Sequence, residues 1–293
     1  MLHGKVILLT GASAGIGQAF AARLKDEGYH VYGTTRRKPQ GEKVPGKDGG
    51  FLQMLQMDVV NEEQIAAAVE TIVKEEGRLD ILINCAGIGI VGSVEDTSYE
   101  EMKLQMDTNF AGVHNTCRAV LPVMRKQNKG FIINISSMGS LCSIPFQGFY
   151  SISKAAVDVL TEVIWMEARP FGIKCCSIQP GDFKTRFTDS RIYTKNGLEN
   201  EAYFEAMMKA VYSMELSELD GDDLSMICDL LMDVLETEEP AVHIPVGTGC
   251  PERAKKTKVE PIEETLKART TRYADAVMPP ESWLADVRTK TLK

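Results

Sequence analysis

The stretch that decides the fold of this chain is KVILLTGASAGIG, residues 5–17. Its first half is a continuous apolar run, typical of a parallel strand that is buried on both faces. Its second half is a glycine-rich turn that leads into a helical pattern ending near Gly28. Glycines let the backbone approach a ligand, and the helix N-terminus adds N–H groups and a positive dipole end. The stretch therefore predicts a dinucleotide-binding turn rather than a tight turn without a ligand.

The second predicted strand, residues 30–35, indicates which dinucleotide is bound. Enzymes that use NAD place a carboxylate at the end of this strand, where it holds the ribose 2′-hydroxyl. This chain has Thr35 there, followed by Arg36 and Arg37. Two guanidinium groups suit a 2′-phosphate, although a solvated basic turn is the ordinary alternative. The sequence favours NADP(H), with NAD(H) as the second choice.

Further strand-like runs alternate with helical patterns along the chain. The predicted strands cover residues 51–57, 80–84, 130–135, 173–178 and 241–246, and the predicted helices cover residues 62–76, 99–125, 150–168, 201–211 and 224–235. This alternation predicts an α/β fold with a doubly wound, parallel Rossmann-type sheet of about seven strands. Ligands of such sheets bind at the carboxyl ends of the strands, where the glycines and polar residues of this chain fall.

The predicted domain organisation is one domain with a C-terminal addition. Residues 1–248 form the catalytic and dinucleotide-binding domain. Residues 182–223 are polar and aromatic and interrupt the alternation at the ligand end. We expect this lid segment to be a mobile substrate lid rather than a plain surface excursion. Residues 249–293 are charged, with amphipathic stretches around 262–276 and 282–289, and predict a helical appendage on the core or on a partner subunit.

Composition excludes several classes of protein. The net charge of −8 over 293 residues argues against nucleic-acid binding, and the longest apolar runs are too short for an integral membrane segment. The N-terminus does not resemble a signal peptide. The seven cysteines form no CxxC motif, so we expect reduced, buried thiols in a cytoplasmic protein. A catalytic thiol stays open without a supporting motif. The four histidines lack the spacing of metal ligands, so no metal is expected.

Tyr150 and Lys154 are the first candidates for catalysis, because residues four apart share one face of a helix. A lysine ammonium one turn from a phenol favours the phenolate and lowers the pKa of the tyrosine. A tyrosine with a lowered pKa can transfer protons near neutral pH. Such pairs are common on surface helices, so this pair gains its weight from the strand ends around it.

Six motifs make the chain similar to the short-chain dehydrogenase/reductase family, in its ordinary, non-extended branch. They are TGASAGIG, NCAG, TNFAG, ISS, YSISK and QPGDFKT, and the resemblance covers about residues 3–248. The glycine spacing disfavours the extended branch, and the Tyr–Lys spacing disfavours enoyl reductases. The resemblance implies a nicotinamide-dependent oxidoreductase that interconverts a secondary alcohol and a ketone or aldehyde. It also implies a homodimer or homotetramer.

The resemblance implies roles for four catalytic residues. Tyr150 would be the general acid/base, and Lys154 would lower its pKa and bind the nicotinamide ribose. Ser137 would hydrogen-bond the substrate oxygen, with Ser136 as the less favoured choice. Asn109 would hold a water in a proton relay with Lys154.

The resemblance also implies a set of cofactor-binding residues along the strand ends. They are Gly11, Ser13, Gly15, Ile16, Gly17, Arg36, Arg37, Asp58, Val59, Asn84, Tyr150, Lys154, Pro180, Gly181 and Thr185. One position departs from the pattern of many NADP-preferring relatives, which have a basic residue where this chain has Ala14. The NADP(H) prediction therefore depends on Arg36 and Arg37.

The loops around the expected catalytic face are apolar, which predicts a lipophilic alcohol or carbonyl substrate. The residues expected to contact it are Met138, Phe146, Phe183 and Phe187. The stretches IPFQGFYSISK and ARPFGI and the C-terminal tail resemble the hydroxysteroid and retinol dehydrogenase group, which implies a steroid-like substrate. Two alternatives stay open: a broad-range carbonyl reductase for small carbonyls, and a non-catalytic NADP(H)-binding sensor or scaffold.

Overall fold

The computed structural model describes residues 4–37, 41–185, 187–259, 264, 266, 268, 271, 272 and 275–290. The strands are β1 (Val6–Leu9), β2 (His30–Thr35), β3 (Lys43–Pro45), β4 (Phe51–Gln56), β5 (Ile81–Asn84), β6 (Ile90–Val91), β7 (Gly130–Ile135), β8 (Ile173–Pro180), β9 (Ile192–Tyr193) and β10 (His243–Val246). The main helices are α1 (Gly15–Asp26), α2 (Glu62–Glu76), α3 (Tyr99–Met106), α4 (Gly112–Gln127), α5 (Gly148–Ala168), α6 (Lys195–Glu199), α7 (Glu201–Leu219), α8 (Leu224–Glu236), α9 (Cys250–Val259) and α10 (Glu281–Val287).

Eight strands form one sheet in the order β10-β8-β7-β5-β1-β2-β4-β3. Every neighbouring pair from β10 to β4 is parallel, which confirms the predicted doubly wound, Rossmann-type α/β fold. The eighth strand, β3, pairs antiparallel with β4 at the edge. Strand β3 is not predicted from the sequence, because its three residues are all exposed and show no apolar pattern. The strand order reverses between β1 and β5, and a ligand crevice opens where it does so.

The two faces of the sheet carry separate apolar cores. Alternate residues of β1 point to opposite faces, so that Ile7 and Leu9 pack with α1 and α8 while Val6 and Leu8 pack with α2, α4 and α5. Residues of β1, β5 and β7 are buried on both sides, which explains their continuous apolar sequences. The sheet is therefore rigid where its carboxyl ends hold the site.

The helix predicted over residues 99–125 contains an irregular turn. Helix α3 continues into a π-helical turn, Asp107–Ala111, which leads directly into α4. Such turns occur often at functional sites, because the extra residue redirects the side chains on the helix face. Asn109 lies in this turn and is fully buried.

The lid segment, residues 182–223, leaves and rejoins the body at one place, because the N–H of Asp222 donates to the carbonyl of Asp182 at 2.9 Å. Within it, β9 pairs in parallel with β6, which follows the loop after β5. Helix α7 is longer than the predicted 201–211 and reaches Leu219. The segment is thus hydrogen-bonded to the body through β9, and the prediction that it moves stays a prediction.

The C-terminal residues pack on the lid segment. Leu284 and Val287 of α10 join an apolar cluster with Tyr193 of β9 and the methionines of α7. Helix α9 was not predicted from the sequence, and most of the predicted helix at 262–276 lies outside the described residues. Among the residues that are described, no helix is both long and apolar enough to cross a membrane.

Candidate active site

A cavity of about 850 Å³ opens at the carboxyl ends of the parallel strands. Most of the residues predicted for the site line it: Gly11, Ser13, Gly15, Ile16, Gly17, Arg36, Arg37, Asp58, Val59, Ser137, Met138, Tyr150, Lys154, Pro180, Gly181, Phe183, Thr185 and Phe187. Three predicted residues, Asn84, Asn109 and Phe146, are not part of its lining.

The glycine turn is shaped by close backbone contacts. Gly11 has φ of +69°, and a Cβ there would lie 2.8 Å from the Cα of Ala86. A Cβ on Gly17 would lie 2.3 Å from the carbonyl oxygen of Gly11. The hydroxyl of Thr10 accepts from the N–H groups of Cys85 and Ala86 at 3.0 and 3.1 Å. The turn is therefore fixed against the loop that follows β5.

The N-terminus of α1 fits the pyrophosphate of a dinucleotide. It begins at Gly15 in the cavity wall, no side chain in the described part of the chain caps it, and its first turn contains no acidic residue. Its N–H groups and the positive end of its dipole are thus available to an anion.

Arg36 and Arg37 lie at the mouth of the cavity and are exposed. The carbonyl of Arg36 accepts from Gln56 Nε2 at 3.3 Å, and the N–H of Arg37 donates to Thr35 Oγ1 at 3.3 Å. These bonds use the backbone and leave both guanidinium groups without an acidic partner among the residues that the structure describes. The pair fits a phosphate at the end of β2.

Asp58 and Val59 line the cavity beyond β4. The Oδ1 atom of Asp58 accepts from the N–H of Val60 at 3.1 Å, which folds the chain back at this strand end. Val59 is 6% exposed and packs against the backbone of Gly112. The two residues fit the adenine end of a dinucleotide by position.

Asn84, which the resemblance gives as the cofactor-site residue that steadies the central strand, has a structural position behind the cavity lining. Its side chain is 2% exposed and donates to Asn134 Oδ1 at 2.9 Å. It also accepts from Thr116 Oγ1 at 2.7 Å. Asn84 thus joins β5 to β7 and α4 behind the cavity. The side chain of Asn84 therefore makes its hydrogen bonds within the protein, as is usual for a buried asparagine.

Tyr150 and Ser137 come together as predicted. Tyr150 lies in the first turn of α5 and lines the cavity, where its phenol hydrogen-bonds Ser137. The Oγ of Ser137 also accepts from the N–H of Gly139 at 3.0 Å. Ser136, the less favoured serine, donates instead to the carbonyl of Lys154 at 3.1 Å. Ser137 is therefore the serine placed to share a substrate oxygen with Tyr150.

The pKa of Tyr150 moves in the direction opposite to the sequence-based prediction. Burial raises the pKa of Tyr150 to about 12, and the hydrogen bond with Ser137 lowers it less than burial raises it. Burial also lowers the pKa of Lys154 to about 8. Its Nζ donates to the carbonyl of Ile135 at 2.8 Å rather than to the phenol. Desolvation disfavours both charged forms and outweighs their mutual effect, so the phenol keeps its proton at neutral pH.

Asn109 fixes the loop after β5. Its Nδ2 donates to the carbonyl of Ile88 at 3.0 Å and to Ser153 Oγ at 3.2 Å, and its Oδ1 accepts from the N–H of Ile88 at 2.8 Å. A Cβ on Gly87 would lie 3.4 Å from Asn109 Oδ1 and 3.7 Å from Lys154 Nζ. Asn109 is thus near Lys154 with only a glycine between them. Its predicted role in a water relay stays a prediction.

The predicted substrate residues divide into two groups. Phe187 lies beside the reaction centre, with its ring 5.8 Å from that of Tyr150, and Met138 packs against α9 in the cavity wall. Phe183 is largely buried in the core and only touches the cavity. Phe146 packs on Tyr203 with ring centroids 6.4 Å apart and lies outside the lining, and its role in substrate binding stays a prediction.

Two charged residues of the lid segment were missed by sequence reasoning. Arg191 and Glu218 form a largely buried ion pair, and both influence the pKa of Tyr150. They lie 27 positions apart, and a single glutamate near the end of an amphipathic helix looks like a solvated residue. No local pattern identifies such a pair, since it exists only once the segment has folded back.

The cysteines do not supply a reactive thiol. All seven are free, and only Cys85 is partly exposed. Burial raises the pKa of the Cys85 thiol to about 12, so the reactive thiolate is absent at neutral pH. Among the described residues no group of three or more histidine, cysteine or acidic side chains is arranged to hold a metal ion.

Comparisons with known proteins show the family of this chain. The family model described as "short chain dehydrogenase" matches residues 5–196. The 3-ketodihydrosphingosine reductase of Bacteroides thetaiotaomicron is 39% identical over 285 residues, which cover 97% of this chain and 95% of that protein. The crystal structure of a short-chain dehydrogenase from Streptomyces avermitilis is 27% identical, with a TM-score of 0.74 over 92% of this chain and 96% of that one.

A further solved structure concerns the cofactor. ElxO with NADP bound is 26% identical, with a TM-score of 0.69 over 85% of this chain and 99% of that one. Likeness to a nucleotide-bound relative agrees with the uncapped N-terminus of α1 and the glycine turn. This chain belongs to the short-chain dehydrogenase/reductase family and is an NAD(P)-dependent oxidoreductase.

Proposed function

We propose that this enzyme reduces a long-chain α-amino ketone of the 3-ketodihydrosphingosine type, with NADPH as the preferred cofactor. The extent of the likeness to the Bacteroides thetaiotaomicron reductase carries the proposal. It covers 97% of this chain, whereas the family match ends at residue 196. The likeness therefore includes α7, α9 and the C-terminal residues, which line or support the substrate side of the cavity. Within one fold, segments of this kind differ most between enzymes that act on different substrates.

The proposed chemistry is proton transfer at Tyr150. A reduced nicotinamide supplies the hydride when bound. Tyr150 gives its phenol proton to the carbonyl oxygen, and Ser137 donates a second hydrogen bond to the same oxygen. The raised pKa of Tyr150 supports this direction, because the phenol is protonated at neutral pH. Lys154 holds the nicotinamide ribose and stabilises the phenolate that remains after transfer.

The remaining site residues hold the cofactor in this proposal. The N-terminus of α1 binds the pyrophosphate, and Arg36 and Arg37 bind the 2′-phosphate that distinguishes NADPH. Asp58 and Val59 lie along the adenine. Asn109 keeps the loop after β5 against Lys154, where a water relays the proton.

The cavity lining supports an alkyl chain as the apolar part of the substrate. Beyond Tyr150 the cavity is lined by Ile88, Met138, Ile144, Phe187, Ile192 and Met214. Aliphatic and thioether side chains adapt well to a flexible chain. A steroid-like substrate, expected from the loop motifs, also suits an apolar wall and stays a prediction.

A homodimer or homotetramer is part of the proposal. Helix α5 exposes Ile152, Val159 and Met166 at 53%, 58% and 60%, and these residues recur every seven positions along one face. An exposed apolar stripe of this kind suits a second copy of the same helix. Sedimentation of Val159→Glu against the wild-type protein tests the oligomeric state.

The function is tested with a substrate panel. The purified enzyme is assayed with 3-ketodihydrosphingosine, a steroid ketone and cyclopentanone, each with NADPH and NADH. We expect the highest kcat/KM for 3-ketodihydrosphingosine with NADPH. A higher kcat/KM for the steroid ketone or for cyclopentanone would replace the proposal with a hydroxysteroid or broad-range enzyme. NADPH binding without turnover of any ketone would indicate a sensor or scaffold.

A further inference from the structure

A buried ion pair lies at the edge of the cavity, which Glu218 lines and Arg191 does not, and it has no part in the proton transfer described above. Arg191, which directly precedes β9, is 2% exposed, and its Nη2 donates to Glu218 Oε1 at the end of α7. Thr188 Oγ1 donates to the other carboxylate oxygen. Burying two charges costs several kcal/mol even when they are paired, so such a pair needs a reason beyond stability.

The pair lies close to the reaction centre. The guanidinium carbon of Arg191 is 5.9 Å from the centre of the Phe187 ring, and that ring is 5.8 Å from the ring of Tyr150. The charge of Glu218 raises the pKa of Tyr150, and the charge of Arg191 lowers it. Glu218 itself lines the cavity. A substrate whose carbonyl oxygen reaches Tyr150 therefore presents its neighbouring atoms to this pair.

Two N–H groups of the ion pair make no hydrogen bond within the described part of the chain. Nε and Nη1 of Arg191 are buried and have no partner among the described residues. Unpaired donors of this kind are rare in folded proteins and cost free energy until an acceptor arrives. The carboxylate of Glu218 receives one bond at each oxygen and can accept further ones. The pair thus offers N–H donors to an oxygen and carboxylate acceptors to a cation.

Two acidic side chains, Asp182 and Glu215, lie near Glu218 in addition to its arginine. Burial raises the pKa of Glu218, Asp182 and Glu215 raise it further, and Arg191 and the bond from Thr188 lower it. Acidic neighbours therefore act on Glu218 alongside its one buried arginine. Arg253 and Arg272 also line the cavity, but both are exposed, where solvent and salt screen their charges.

We propose that the Arg191–Glu218 pair is the site for the amino-alcohol head of the substrate, with Glu218 accepting from the ammonium and Arg191 donating to the hydroxyl. The inference rests on the proposed function. In 3-ketodihydrosphingosine the amine is on the carbon next to the ketone, and the hydroxyl is on the carbon after that. A ketone oxygen held by Tyr150 and Ser137 leaves both groups a few bonds away. The pair then selects amino ketones from other long-chain ketones.

The test compares two ketones on the variant Glu218→Gln, which keeps the size and one acceptor oxygen but removes the charge. The ketones are 3-ketodihydrosphingosine and 1-hydroxyoctadecan-3-one, which lacks the amine. We expect kcat/KM for the amino ketone to fall about 10- to 100-fold more than kcat/KM for the other ketone, since only the amino ketone loses a hydrogen bond to a charged group. The control is Glu205→Gln on the exposed face of α7, which should change neither value.

An equal fall for both ketones would indicate a structural role for Glu218 and overturn the inference, as would no change for either. If Glu218→Gln does not fold, the wild-type enzyme and the N-acetylated amino ketone test the same contact. At least about a tenfold loss of kcat/KM is expected on acetylation, since the ammonium charge is removed, and an equal kcat/KM would overturn the assignment.

The binding of the hydroxyl by Arg191 is tested with a separate substrate, 2-aminooctadecan-3-one, which keeps the amine and lacks the hydroxyl. We expect its kcat/KM on the wild-type enzyme to be about tenfold lower, because the N–H groups of Arg191 then stay unpaired. An undiminished kcat/KM would show that Arg191 does not bind the hydroxyl. An enzyme that reduces none of these ketones would contradict the proposed function, whereas one that reduces them all equally would contradict only the head-group site.

Discussion

The ammonium nitrogen of Lys154 lies 5.8 Å from the centre of the Tyr150 ring, and its hydrogen bond goes to the carbonyl of Ile135 at 2.8 Å. Both side chains are buried, and burial moves both pKa values toward the neutral form, to about 12 for Tyr150 and about 8 for Lys154. The lysine thus lies beside the phenol without a direct hydrogen bond to it. A phenol in this setting keeps its proton at neutral pH.

Tyr150→Phe should lower turnover of a competent ketone by roughly 100- to 10,000-fold, the usual contribution of a general acid. The ring and its packing against Phe187 remain, so cofactor binding should survive. Steady-state turnover and fluorescence titration with NADPH measure the two effects. Tyr99→Phe, at a tyrosine that is 67% exposed, is the control and should retain full activity. Unchanged turnover in Tyr150→Phe would exclude the phenol as the proton donor.

Lys154→Met should stabilise the cofactor-free protein at pH 7 more than at pH 10. Burial lowers the pKa of Lys154 from its ordinary value of 10.5 to about 8, so the unfolded chain binds the proton more tightly than the folded one. The resulting penalty is largest below pH 8, roughly 3 kcal/mol for this shift, and it disappears as the pH rises toward 10.5. Urea unfolding at both pH values measures the difference. Lys126→Met, at an exposed position of α4, provides the comparison, and an equal gain at both pH values would refute the argument.

Arg36→Ala should lower kcat/KM for NADPH about 10- to 100-fold and leave NADH unaffected, because the lost bonds are charge-assisted contacts to a phosphate that NADH lacks. Kinetics with the two cofactors at a fixed ketone concentration measure the ratio. Arg118→Ala removes an exposed arginine that pairs with Glu62 and should leave the ratio unchanged. No loss with either cofactor would mean that Arg36 is merely solvated, and equal losses with both would mean that it does not recognise the 2′-phosphate.

A comparison of Gly11→Ala with Gly77→Ala separates the destabilisation caused by backbone strain from that caused by a steric collision. Both glycines have positive φ, +69° and +72°, so an alanine costs about 1 to 2 kcal/mol at either. No atom of the described residues lies within 4 Å of a Cβ at Gly77, whereas a Cβ at Gly11 would be 2.8 Å from the backbone of Ala86. We therefore expect Gly11→Ala to be the more destabilising and to weaken NADPH binding. Thermal unfolding and NADPH titration of both variants measure the two effects. Equal losses of stability and affinity in the two variants would argue against the collision.

The sequence predicts most of the fold and of the cofactor side because both depend on local patterns. A buried parallel strand is continuously apolar, and candidate site residues directly follow such strands, as Ser137 after β7 illustrates. The exceptions have physical causes. Asn84 ends a strand, as site residues do, but its side chain hydrogen-bonds residues of β7 and α4. Arg191 and Glu218 meet only through the tertiary fold of the lid segment. The lowered pKa expected for Tyr150 neglected burial, which a sequence does not reveal.

The parallel pairing of β6 with β9 makes the two halves of the cavity one mechanical unit. Asn109 holds the backbone of Ile88, two residues before β6, and Arg191 directly precedes β9. A change in the loop beside the nicotinamide therefore moves the chain that carries the head-group site. We expect this arrangement to couple the two binding events, so that the bound cofactor raises the affinity for the ketone. Because energetic coupling is reciprocal, the ketone must then slow the escape of the cofactor or speed its capture, by the same overall factor in affinity.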